Sequence, residues 1–238
     1  NRSKLIDQPL DNFGLIYNFK HQRIINDNLY EFEIDTDYKR IRHDYWSKIT
    51  GKDANIVNDI KNIRLLSGIQ LSDNVKIKSG IGYRYLKDNK GFKLTTTGHH
   101  GYDRIQEYRY IPFIAEINAP MNSINGLLKL EYDHIYYGYN ESRNWGGHLD
   151  KMKYYRNDDG YMVKTSYKFP YNNFNLEPYY VFQSVERSIQ YGSTTSNEPA
   201  NTTDEYGLKI SRIFGKKQKL ASDYKTLIEG SSDVYFGS

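Results

Sequence analysis

The chain has 238 residues, no cysteine, 24 Tyr, 10 Phe and 2 Trp, and 33 basic against 29 acidic residues give a formal net charge of +4. No disulfide or thiol chemistry is open to it, and the mild basic excess is not the concentrated stripe that nucleic acid requires. Mean hydropathy is −0.80 and no apolar run approaches the ~18 residues of a transmembrane helix, yet a membrane barrel stays open because only every second strand residue must then be apolar.

Period-2 alternation, the mark of strands with two different faces, recurs along nearly the whole chain. Residues 12–20 set Phe13, Leu15, Tyr17 and Phe19 against Asn18 and Lys20. Residues 28–38 set Tyr30, Phe32 and Ile34 against Glu31, Glu33, Asp35 and Asp37. A less regular run at 61–71 precedes 74–86, where Val75, Ile77, Ile81, Tyr83 and Tyr85 oppose Lys76, Lys78, Gly80, Gly82 and Arg84. After a second irregular run at 107–118, residues 123–139 set Leu128, Leu130, Tyr132, His134 and Tyr136 against Lys129, Glu131 and Asp133. Residues 160–169 place Tyr161, Val163, Thr165, Tyr167 and Phe169 opposite Met162, Lys164, Ser166 and Lys168. Phe174, Leu176, Tyr180 and Phe182 then alternate with Asn175, Glu177 and Gln183, and 204–214 offers Tyr206, Leu208, Ile210 and Phe214.

These nine runs predict an all-β, antiparallel up-and-down β-barrel of about 8–10 strands. An even count calls for a tenth strand, at 220–228 or ahead of Asn1, so residues 1–214 are expected to form the barrel domain and 215–238 a C-terminal tail or an additional strand. Short links (21–27, 72–73, 119–122 and 170–173) alternate with long ones (39–60, 87–106, 140–159 and 188–203), which puts every long loop at one end.

The run Tyr206-Gly-Leu-Lys-Ile-Ser-Arg-Ile-Phe214 resembles the closing strand of bacterial outer-membrane barrel proteins, with an aromatic end and apolar residues at every second position, although Arg212 breaks the series. Gly98-His-His-Gly-Tyr-Asp-Arg104 with Tyr108-Arg-Tyr-Ile-Pro112 is similar to ε-proteobacterial barrel proteins. The resemblance implies a Gram-negative outer-membrane location and outer-membrane lipid as the surrounding partner. Phe13, Phe32, Ile77, Leu130, Val163, Phe182, Ile210 and Phe214 are then expected to face lipid. Basic residues near the long loops (Arg40, Arg42, Arg104, Arg143 and Lys153) are candidates for lipopolysaccharide phosphates, against an ordinary solvated role. The same alternation also fits a soluble lipocalin-like barrel, in the periplasm or on the cell surface, that buries those apolar residues around a ligand.

Candidate chemistry is sparse. His99, His100 and Asp103 share a Gly-flanked loop, a weak metal-ligand pattern. Asp35-Thr-Asp37, placed at the outer end of its strand, resembles the acidic pair of the omptin outer-membrane proteases. His148-Leu-Asp150 is a reversed form of their Asp–His pair. Neither grouping amounts to an enzyme signature, and the expectation is a barrel without cofactor or nucleic-acid partner. A barrel of this size is filled by side chains, so it is not a general diffusion pore. Its structural, adhesive or ligand-binding role then falls to surface loops that meet an extracellular ligand or protein.

Overall fold

The computed structural model describes residues 13–25, 28–47, 51–91, 93–121, 124–143, 153–156, 159–190, 200–214 and 226–237; side chains are described for all of these except 13, 43–47, 153–156, 189–190, 213–214 and 226–237. Among the described residues there are strands and no helix: β1 (Phe13–Ile25), β2 (Asn28–Ser47), β3 (Gly51–Ser72), β4 (Val75–Asp88), β5 (Asp103–Asn118), β6 (Leu127–Arg143), β7 (Lys153–Arg156), β8 (Gly160–Tyr171), β9 (Phe174–Val185), β10 (Ile189–Gln190), β11 (Asn201–Phe214) and β12 (Thr226–Gly237). Every pairing is antiparallel.

The sheet curls until its ends meet. Neighbours run β1-β2-β3-β4-β5-β6-β8-β9-β11-β12, and β12 pairs back onto β1. Among the described residues each strand of this ring of ten has a partner on both sides, the condition for a barrel wall in lipid. β7 and β10 stand outside the ring, stacked on the upper part of β6. The strand that pairs with β1 is Thr226–Gly237, so Tyr206–Phe214 lies in the penultimate strand and does not close the barrel.

Residues 39–60, expected as a long loop, mostly belong to one hairpin. β2 continues to Ser47 and β3 begins at Gly51, with Lys39↔Ile60 through Ser47↔Gly51 in register apart from one irregularity at His43/Tyr45. Alternation of charge with charge, as in Lys39-Arg-Ile-Arg-His-Asp, hides a strand from a hydropathy reading even where the backbone is fully paired. The ring is consequently lopsided. β2 and β3 have 20 and 22 residues, whereas β8 and β9 have 12 each.

One bulge decides a side-chain sense. On β6 the partners jump from Tyr110↔Ile135 to Arg109↔Tyr137. Tyr136 is therefore an extra residue, and the outward face changes from even to odd numbers along the upper part of β6.

Candidate functional site

The polarity of the wall is inverted relative to a water-soluble protein. Phe32 is 62% exposed, Ile81 56% and Leu65 49%, whereas Glu31, Asp133 and Glu131 are almost fully buried. Ile77, Leu130 and Val163 are also exposed, and Phe182 and Ile210 are half-buried on the same outward face. The soluble reading required Phe32, Ile77, Leu130 and Val163 inside, and the structure overturns it. Phe13 and Phe214 lie in β1 and β11, but their side chains are outside the described set.

The lumen is filled with opposed charges. Lys78 of β4 reaches three carboxylates: Glu31 Oε1 at 2.5 Å, Glu33 Oε2 at 2.6 Å and Glu116 Oε1 at 2.8 Å. Lys76 adds a 2.6 Å contact to Glu31 Oε2. Higher up, Arg64 of β3 bonds Asp35 beside it and Glu131 of β6 across the lumen at 2.6 Å. Lys164 of β8 joins Glu131 to Asp133 at 2.5 and 2.7 Å. Lys39 meets Glu205 at 2.7 Å, and Lys209 meets Glu177 at 3.2 Å. Charges removed from water are costly alone and tolerable only in such mutually satisfied sets.

One rung shows how the lumen closes. Asp35, Arg64, Gly82, Tyr110, Ile135, Gly160 and Val185 are successive partners on β2, β3, β4, β5, β6, β8 and β9. The Tyr110 ring lies on Gly82, where an added Cβ would come within 2.2 Å of it. Its hydroxyl donates to Asn62 Oδ1 at 2.7 Å. Tyr108, Tyr110, Ile135, Met162 and Val185 pack into an apolar cluster beside the charges. Arg84 of β4 spans to Gln183 Oε1 of β9 at 2.8 Å. What remains open is a polar cavity of about 170 Å³ lined by Lys20, Glu33, Asp37, Arg64, Lys129 and Glu177 among others. That volume holds a few waters at about 30 Å³ each.

Among the described residues the predicted site residues are not brought together. Asp35 is bound to Arg64, and Asp37 accepts from Asn62 Nδ2 at 2.9 Å. Both sit mid-strand, since β2 runs on to Ser47, and both face the lumen instead of the outer end. His148 and Asp150 lie outside the described residues. In the connection between β4 and β5, His99 Nδ1 is 2.9 Å from Thr97 Oγ1, His100 forms a bridge with Leu94, and Asp103 Oδ1 accepts from the Gly91 amide at 2.6 Å. This connection leans on the β2–β3 hairpin, with Thr96 N donating to Lys52 O at 2.8 Å and Lys52 N to Thr96 Oγ1 at 2.9 Å.

Of the basic candidates, Arg40 is exposed and held by Asp59 at 2.8 Å, while Arg42 is exposed on the same face of β2. Arg143 is exposed and contacts Glu141. Arg104 is partnered with Asp88, on the row that continues the lumen side, and its guanidinium sits over the Tyr102 ring. Lys153 lies in β7, with its side chain outside the described set. Sequence reading missed Lys61, Lys87 and Arg109, three exposed cations on the outward rows of β3, β4 and β5. Two of them fall in or beside irregular runs, but their alternation with Tyr83, Tyr85 and Ile63 was there to be found.

No protein-family model and no curated protein matches the sequence. Among solved structures the chain is similar to the translocator domain of the autotransporter NalP from Neisseria meningitidis, at 11% identity and a TM-score of 0.36, over 96% of this chain and 90% of that one. It is also similar to the deltaS2S3 mutant of the TodX monoaromatic hydrocarbon channel, at 8% identity and a TM-score of 0.34, over 95% and 89% of the two chains.

Proposed function

We propose that the chain spans the bacterial outer membrane as a ten-stranded barrel with a closed lumen. Its structural, adhesive or ligand-binding work is then done by the wall and loops above the lipid. The observation that carries this reading is the inverted wall: exposed Phe32, Ile77, Leu130 and Val163 back onto buried Glu31, Lys78, Glu131 and Asp133. An exposed apolar belt of this extent needs a partner, and lipid covers a whole barrel circumference.

Strand lengths support the same placement. A membrane strand needs about 9–11 residues, which β8 and β9 barely exceed. The extra 8–10 residues of β2 and β3 stand roughly 30 Å further along the strand. With the connection 89–102 against them they make a raised wall on one side of the mouth.

The test is purification in detergent followed by gel migration with and without boiling. Faster migration when unboiled, with aggregation on detergent removal, is the expected result; a monodisperse monomer in plain buffer would end this reading. With no native cysteine to interfere, Thr97→Cys should label with an impermeant maleimide on intact cells, and Asn74→Cys in the opposite turn should not.

A further inference from the structure

Three consecutive outward rungs cross β2 to β6 just above the apolar belt. They read Thr36–Ile63–Tyr83–Arg109–Tyr137, then Tyr38–Lys61–Tyr85–Glu107–Tyr139, then Arg40–Asp59–Lys87–Ile105–Glu141. Tyr83 and Tyr137 thus flank Arg109 on the first rung, and Tyr38 and Tyr85 flank Lys61 on the second. Asp59 is already paired with Arg40, and Glu141 with Arg143. Lys61, Lys87 and Arg109 are exposed and form no ion pair among the described residues. The Arg109 guanidinium lies over the Tyr137 ring, 4.8 Å from its centre, which holds it in place without neutralising its charge. Glu107 is the acid left within the patch, so the surplus is positive.

Below this patch, on the same strands, the outward face carries an open apolar groove of about 890 Å³. Small side chains form its floor (Ser67, Ser79 and Ala115), and Phe113, Leu130 and Tyr132 rise beside it. The rung Phe32–Ser67–Ser79–Phe113 runs through the groove, four residues down β4 from Tyr83 and four along β5 from Arg109. At about 3.3 Å per residue that separation is roughly 13 Å, a distance an acyl chain spans between its headgroup and its middle carbons.

We infer that the outward wall of β3–β6 is a binding site for one lipid of net negative charge whose headgroup is an exposed phosphate. Its headgroup phosphate sits on Lys61, Lys87 and Arg109, and an acyl chain lies in the groove over Ser79 and Ala115. The tyrosines accept the interfacial position that their amphipathic rings favour, and Arg109 supplies two parallel donors to phosphate oxygens. The site rests on the membrane reading proposed above, and it concerns which lipid is held in place on a wall that any lipid can touch.

The test uses the full chain folded in detergent, its folding confirmed by heat-dependent migration so that failure of the barrel reading shows separately. Retained lipid is counted by native mass spectrometry after adding phosphatidic acid or phosphatidylcholine of equal chain length, or inorganic phosphate. One tightly retained phosphatidic acid is expected, with neither phosphatidylcholine nor inorganic phosphate competing for it. Lys61→Gln with Arg109→Gln should weaken that retention roughly thirty-fold, since each cation at a lipid surface contributes about fivefold. Lys52→Gln, which removes one cation at the hairpin tip, should leave it unchanged, and Ala115→Trp, which fills the groove, should abolish it. Equal retention of both lipids, or wild-type retention in the Lys61/Arg109 variant with its heat-dependent migration intact, would overturn the site.

Discussion

At the scale of single residues the lumen is held by groups that cannot be removed one at a time. Lys78 is in contact with three buried carboxylates, Glu31, Glu33 and Glu116. Lys78→Met should therefore lower stability by about 3–5 kcal/mol, the usual result of stranding buried charge. Adding Glu116→Gln should recover part of the loss, because one fewer carboxylate is left unopposed. Urea unfolding of the detergent-folded protein, followed by the loss of heat-dependent migration, measures both. If the single and double variants unfold together, the network is not coupled as drawn. Gly82 gives a steric counterpart. Leucine at 82 must displace the Tyr110 ring and break its bond to Asn62, costing about 1–3 kcal/mol or more. Alanine there should already be felt, and Gly98→Ala, which meets nothing within 4 Å but has φ of 78°, should cost only the backbone term.

At the scale of elements, legibility tracked contrast between the two faces of a strand. β4, β6 and β8 alternate aromatic or aliphatic residues with Lys, Glu and Asp, so their existence and the split of their residues between two faces could be read directly, but not which face turns outward. The upper halves of β2 and β3 carry charge on both faces; on the membrane reading proposed above, neither side of a strand beyond the lipid needs to be apolar, so the hydropathy signal vanishes there. β12 was expected at 220–228, as one of two places for a tenth strand, and lies at Thr226–Gly237. Thr226-Leu-Ile-Glu-Gly-Ser-Ser-Asp-Val-Tyr-Phe-Gly alternates only at its two ends, and its partners β1 and β11 are set by pairing across the whole chain. The acidic pair at Asp35 and Asp37 looked like chemistry because their strand seemed to end there; ten further residues of β2 turn them into mid-lumen structure. The hairpin also yields a prediction of its own. Replacing 43–56 with a two-residue Asn-Gly turn should leave heat-dependent migration intact, since Arg42↔Val57 and all pairs below it remain. It should at the same time expose the 89–102 connection, which loses Lys52 as partner, to protease on intact cells. A shortened chain that fails to fold would mean that the raised wall supports the barrel itself.

At the scale of the whole molecule, closure depends on two different kinds of obstruction sharing one rung. Asp35, Arg64, Glu131 and Lys164 hold the charged half of the cross-section, and Tyr110 with Ile135, Met162 and Val185 fills the other half. Ions passing through meet both, so removing either alone leaves a constriction. Arg64→Ala in planar bilayers should give little conductance above the wild type, because the Tyr110 ring stays on Gly82. Tyr110→Ala alone should do the same, because Arg64 still bridges to Glu131 across the lumen. The double variant should conduct in brief openings. Its selectivity has a sign: without Arg64, the three carboxylates of Asp35, Glu131 and Asp133 face two cations, Lys164 and Lys129, at the gap, so the openings should pass cations in modest preference to anions. Raising the salt concentration should weaken that preference as the fixed charges are screened. Steady conductance from the wild type, or anion preference in the double variant, would show that the lumen is not closed by these groups. The closed state would then have to be sought in the connections above the mouth.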